Sequence, residues 1–432
     1  MPSIIASPAP QPARCAARFL SGLLVALLSV SAAATAQDAQ QLDAESTSAH
    51  PAPALYRVIV LHPGTLLTSL PRINSNDQAA FGLETAEGQR GFFYDGTRVR
   101  DIGTLGGPIT WVQGLNDAGQ IVGRSYLTSE NHRAFVWDAD GGMIDLGALP
   151  GHGESDGAAI NNHGVVTGTS WANGPVPPHA FRWSVGDGME DLGAFGTGFE
   201  GISFGDAIND AGVIGGASDQ PGGRRHAFVW RRETGMVDIH TLAEGDSSAG
   251  VVGAGGEVAG NYVSLAGETA LIRAFLWTAA TGMRDLGTAG GSESIVTAMN
   301  DHGRIAGLIN FPDEGQHAMS WTRAGGMVDL GTLGGAASIA FDVNNKGQVV
   351  GRSRDASGQD RGFLWTAQDG MIDLNKRLRN APAGLVVGSA LAISDNGAIV
   401  AEASAGMVLL KPCCADRPRG EPAQAPAPAP AR

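Results

Sequence analysis

Apolar and β-branched residues along this chain fall in short segments at strand spacing, each cut off by a turn rich in glycine. The pattern repeats. One segment leads into a phrase of the form Ile-Asn-Asp-x-Gly-x-Val-x-Gly, read as "LNDAGQIVG" from Leu115, "INNHGVVTG" from Ile160, "INDAGVIGG" from Ile208, "MNDHGRIAG" from Met299 and "VNNKGQVVG" from Val343. Degenerate copies start at Ile73, Val252 and Ile393. The anchors Asn74, Asn116, Asn161, Asn209, Gly253, Asn300, Asn344 and Ser394 lie 42 to 50 residues apart.

Two further phrases keep the same period. Ala-Phe-x-Trp or a close variant ends at Trp137, Trp183, Trp230, Trp277, Trp321 and Trp365, with Tyr94 in the first copy and "GMVLL" at 406–410 in the last. Gly-Met-x-Asp-Leu-Gly sets its aspartate at 101, 145, 191, 238, 285, 329 and 373. Each unit therefore offers four short strands. Asn-Asp-x-Gly joins the first to the second and Asp-x-x-Gly or its like joins the third to the fourth, both as hairpin turns. The other two connectors vary in length and chemistry. Four antiparallel strands per unit, repeated around a ring, predict an all-β fold, a β-propeller of four-stranded blades.

Closure sets the count. The eighth copy ends after its third segment at Leu410, and "YRVIVLHPG", Tyr56 to Gly64, stands at the other end where the missing strand belongs. A ring that hides its edges this way has eight blades closed by an N-terminal strand; seven is the alternative if the first or last copy forms no full blade.

The phrases "AINDAGVIGG", "RRHAFVW" and "GMVDLGTLGG" together resemble the HAF-repeat family of extracellular bacterial repeat proteins. His179-Ala180-Phe181 and His226-Ala227-Phe228 match the signature triplet, while Arg133, Arg273 and Arg361 replace its histidine elsewhere. The resemblance spans residues 56–411. It implies an exported protein, often envelope-associated, and supplies no catalytic residue.

Composition adds the compartment. Arg14 and Arg18 precede an apolar run from Phe19 to Val30, and Ala34-Thr35-Ala36 offers a cleavage site, so residues 1–36 read as a secretory signal peptide. Residues 37–54 read as a linker, 55–411 as one propeller domain and 412–432 as a disordered Pro/Ala-rich tail. The run is too short to span a bilayer, so a periplasmic or secreted monomer is expected. Cys15 leaves with the signal peptide, and the adjacent Cys413 and Cys414 cannot staple a core. Removing residues 1–36, which hold two arginines and no acid, takes the formal charge from −14 to −16. That balance opposes nucleic-acid binding. Glycine, 63 of 432 residues, is about twice its usual share, which the turns absorb.

Several apparent motifs dissolve into the repeat. Gly153-Glu154-Ser155-Asp156-Gly157 spells a hydrolase nucleophile, yet Ser155 belongs to a series with Thr68, Thr110, Ser203, Ser247, Ser294 and Ser338, and no helix follows it. Asp138 and Asp140 suggest a calcium loop, but other copies read "TAATG" and "RRETG", so the position asks for a turn and no metal site is expected. The repeated aspartates read as acceptors for backbone amides, the Phe and Trp as packing between blades, and the repeated histidines as capping donors. No cofactor is implied.

What breaks the repeat lies in the variable connectors, which share one face of the ring. There the ligand-binding candidates are Asp156, Trp171, Arg224, Glu244, Asp246, Glu293, Asp313 and Arg354. The expected function is a binding or scaffold module for an extracellular polysaccharide, an envelope component or a protein. The rival is a glycan lyase or hydrolase on that face, using His152 with Glu154 or Glu200.

Overall fold

Strands of four to ten residues with one apolar face can bury it only by stacking sheet against sheet, and a ring of such sheets leaves no end unpacked. The computed structural model describes residues 54–63, 67–172, 174–242, 245–266 and 269–413. The expected signal peptide, most of the linker, Cys414 and the rest of the tail lie outside them.

Eight antiparallel blades form an eight-bladed β-propeller. The first seven span 67–101, 110–145, 154–191, 203–238, 247–285, 293–329 and 334–373, and the eighth takes 387–413 together with Leu55–His62. Within each of the first seven, strands pair in chain order from the channel outward. The third blade is typical, with Glu154–Ile160, Val166–Trp171, His179–Ser184 and Gly188–Asp191. The closing strand Leu55–His62 pairs antiparallel with Gly406–Cys413, setting Tyr56 opposite Pro412 and Val58 opposite Leu410. That ladder reaches Cys413, two residues past the boundary expected at 411, because Leu55 has a partner there. A short strand, Leu378–Arg379, adds in parallel on its outer side.

The core lies between blades. Val122, Ala134 and Val136 of the second blade meet Ile160, Val166 and Phe181 of the third in one buried cluster, and the other seams repeat the arrangement. Phe135, Phe181, Phe228, Phe275 and Phe363 are fully buried.

The innermost strands carry a feature that the phrases did not announce. From the second blade to the eighth, register shifts three residues before the anchor, as at Gly157/Ala159 and Val296/Ala298. This bulge drives a carbonyl over the second strand, so a Cβ on Gly168 or Gly307 would overlap the oxygen of Asp156 or Ile295. In blades two to seven the last glycine of the anchor phrase is thus a steric requirement, whereas the eighth carries Ala401 at that place.

Each anchor asparagine works twice. Asn116 Oδ1 accepts from Gln120 N at 2.9 Å and closes its own turn, while Nδ2 donates to the carbonyl of Asn161 in the next blade at 3.0 Å. Asn74, Asn161, Asn209, Asn300 and Asn344 donate across their seams in the same way. At the closing seam Ser394 and Asn396 reach Asp77 and Ser75 instead. Asn116→Ala strands a buried carbonyl and a turn amide, so it is expected to lower stability by about 2–3 kcal/mol; calorimetric unfolding of the variant against the native chain checks this.

Candidate functional site

The repeated hydroxyl is a seam staple. Ser155 Oγ accepts from Ala134 N at 2.9 Å and donates to Gly147 O, both in the preceding blade. Ser203, Ser294 and Ser338 do the same at their own seams. The repeated aspartate ends the outer strand: Asp145, Asp191, Asp285 and Asp329 each accept from the amide two residues on. The histidines at the start of the third strand pair with that same aspartate, His179 with Asp191 at 2.9 Å, His226 with Asp238 at 2.8 Å and His317 with Asp329 at 2.8 Å. Arg273 takes this role with Asp285 at 3.0 Å.

The hydrogen bond that His179 donates to Asp191 raises the His179 pKa above its ordinary value. A raised histidine lends stability that is complete below the unfolded value near 6.5 and is lost as pH climbs through the folded value. His179→Arg, which copies the Arg273 pair, is expected to flatten the melting temperature over that rise. Thermal unfolding from pH 5.5 to 8.5 reads the change in slope.

The loop residues nominated from sequence do not converge on one pocket. Glu200 sits in a 3-10 turn and accepts from Gly222 N at 3.1 Å. Asp246 accepts from Arg225 N at 3.1 Å, and Glu293 from Ile272 N at 3.0 Å and Asn310 Nδ2 at 2.7 Å, so both tie a blade to its neighbour. Arg354 lies 3.7 Å from Asp360. Arg224 and Asp313 are exposed in separate turns, and Glu244 lies outside the described residues. His152 faces the His179 ring at 6.1 Å, and burial holds its pKa below the ordinary value. Its expected partner Glu154 turns instead to His132, 3.8 Å away. The pairing of His152 with Glu154 or Glu200 is therefore not assembled.

Three nominated residues, Glu154, Asp156 and Trp171, do meet. Glu154 and Asp156 flank His132, Asp156 also holds Arg124 at 2.8 Å, and Trp111, Tyr126 and Trp171 surround the group. Arg124, His132, Trp111 and Tyr126 escaped the sequence reading because they come from strand positions of another repeat.

The largest convergence lies at the opposite mouth, where the Asn-Asp-x-Gly turns of all eight blades ring the channel. They enclose a cavity of about 420 Å³. Its rim is the residue that follows each anchor, reading by blade Ser75, Asp117, Asn162, Asp210, Ala254, Asp301, Asn345 and Asp395. Carboxylates stand on every second blade. Asn162 Nδ2 bridges Asp117 and Asp210 at 3.1 Å each, and Asn345 bridges Asp301 and Asp395 at 2.7 and 2.9 Å. Ser75 donates from its amide and its hydroxyl to Asp117 at 2.9 and 2.7 Å, and Ala254, four blades on, brings no polar side chain. One apolar side chain per blade, among them Ile160, Ile208, Met299 and Val343, also lines the cavity as a floor.

This rim holds carboxylates with lone pairs to spare, above a floor that offers no hydrogen bond. It can accept several hydrogen bonds from one ligand and favours a cation. Among the described residues no group of three or more His, Cys, Asp or Glu is placed to hold a metal ion, and no helix is long and apolar enough to cross a membrane.

No family model matches the chain, and no curated protein matches it. Among solved structures it is similar to a puromycin-hydrolysing peptidase of Mycobacterium tuberculosis, with a TM-score of 0.47 and 13% identity over 73% of this chain and 53% of that one. Dipeptidyl peptidase 4 of Porphyromonas gingivalis gives 0.47 and 10% over 80% and 59%. TolB of Acinetobacter baumannii gives 0.38 and 14% over 57% and 61%. The chain thus spans about three-fifths or less of each, and likenesses this distant carry no argument about ligand, activity or compartment.

Proposed function

We propose that this chain is an exported HAF-repeat propeller that binds its ligand at the short-turn mouth, as a binding or scaffold module rather than an enzyme. The observation that carries this reading is the 420 Å³ cavity rimmed by Asp117, Asp210, Asp301 and Asp395. Such a rim suits protonated amines, carried by an amino sugar of a polysaccharide or by lysine side chains of an envelope protein. The net negative charge supports the same sign of ligand by drawing cations toward the surface.

Titration calorimetry with a glucosamine hexamer and with a lysine-rich peptide tests it, using the N-acetylated hexamer as the uncharged control. Binding by an amine probe that weakens with salt is the expected result, and which amine probe binds better separates the two sources. Amine binding that salt leaves unchanged, or no binding by either amine probe at millimolar concentration, overturns the reading.

A further inference from the structure

At the variable-face end of the seam between the second and third blades, four titratable side chains come together in a half-buried group. Arg124 lies over the ring of Trp111 at 3.7 Å and donates to Asp156 at 2.8 Å. His132 Nε2 lies 3.0 Å from Asp156 Oδ1, an ion-pair distance without the alignment of a hydrogen bond, and its Nδ1 lies 3.8 Å from Glu154. Trp171 pairs across the strand with Glu154, its ring 6.0 Å from that of His132.

The fold does not need these charges here. Counted from the anchors, Arg124 and Asp156 correspond to Leu308 and Ile339 at the seam between the sixth and seventh blades, where both are buried and apolar. The cross-strand register agrees, since Arg124 faces Trp111 as Leu308 faces Ile295. The same scaffold closes an equivalent seam with hydrocarbon. Buried ion pairs contribute little where packed apolar residues serve as well.

The charged seam is also incompletely satisfied. Arg124 Nε, His132 Nε2 and Asp156 Oδ1 are buried without a hydrogen bond, and unsatisfied buried polar atoms are few in native folds. Donors and an acceptor thus stand side by side, between indole rings, with charges of both signs. A saccharide answers this chemistry: each hydroxyl both donates and accepts, and the C–H face of the ring packs on an aromatic surface.

We propose that this seam is a second binding site, for a neutral saccharide held through adjacent hydroxyls by Arg124, His132 and Asp156 with Trp171 at its edge. It is distinct from the channel mouth in position and in ligand charge.

The test is the double variant Arg124→Leu/Asp156→Ile, which copies the seam between the sixth and seventh blades, screened with the native chain on an array of neutral oligosaccharides of three to six sugars. The native chain is expected to retain at least one of them, and the double variant to lose it at least tenfold while its melting temperature holds or rises. Trp171→Ala, with the ion pair intact, is expected to weaken the same oligosaccharide and serves as readout if the double variant does not fold. A variant carrying serine at the four rim aspartates keeps saccharide binding in this account. The proposal is overturned if the native chain retains no neutral oligosaccharide, if the seam variants bind as the native chain does, or if the rim variant is the one that loses binding.

Discussion

A chain lacking Leu55–His62 is expected to lose its single cooperative unfolding transition and to elute as aggregate. This strand is the outer strand of the eighth blade, and its removal leaves Gly406–Cys413 as a bare edge eight residues long. Such an edge invites pairing between chains. Tyr56, 1% exposed, packs with Leu374, Val387 and Leu410 in the core of that blade, so the deletion also opens a cavity. Burial of Leu55, Tyr56 and Leu61 stabilises by roughly 1.5–3 kcal/mol per side chain. Together with the lost ladder this approaches the whole net stability of a typical domain, about 5–15 kcal/mol. Tyr56→Ala is the milder form, with an expected cost of about 3–4 kcal/mol. Calorimetry and size-exclusion chromatography read both, and an unchanged transition in the deletion would mean that the ring closes by other contacts.

That closure was legible because it is a matter of counting. Three phrases with one period assign each strand its place in a blade, and the blade with a missing phrase must find it elsewhere. Tyr56–Gly64 was the remaining segment with the right pattern. The role of Asp145 as an acceptor for a backbone amide was legible for a related reason, since a side chain repeated in most blades serves what every blade must do.

The bulge was not legible. The residue it displaces is Gln113, Ala158, Asp206, Gly250, Thr297, Phe341 or Leu391 according to the blade, and a position that tolerates all of these sends no signal in composition. Its trace is indirect, in the glycine two positions after Ile121 or Val166, namely Gly123 and Gly168, which close their anchor phrases where a strand would otherwise carry a side chain.

The channel mouth escaped for the opposite reason. Asp117 and Asn162 are good turn formers, and read one repeat at a time they explain themselves. Their alternation with Ser75 and Ala254 acquires meaning only when eight turns are bent into a circle. The variable loops looked the richer source of chemistry, yet Glu200, Asp246 and Glu293 spend their carboxylates on backbone amides. The seam at Arg124 and Asp156 was half legible: Glu154, Asp156 and Trp171 stood out as breaks in the repeat, while Arg124 and His132 came from the neighbouring copy.

The second large effect expected is at the rim. Replacing Asp117, Asp210, Asp301 and Asp395 together by serine puts into those blades the residue that the first already carries at Ser75. The turns remain closed by Asn116, Asn209, Asn300 and Ser394, so the fold is expected to persist with a modestly lower melting temperature. Four removed carboxylates, each contributing roughly 0.5–1 kcal/mol toward a bound amine, correspond to a loss of about 100-fold in affinity.

Titration of the glucosamine hexamer into the native chain and into this four-serine variant, in low salt at pH 7, tests the central claim most directly. The account predicts saturable binding to the native chain and a loss of about 100-fold in the variant, with circular dichroism unchanged. Equal affinity in the two proteins would contradict it.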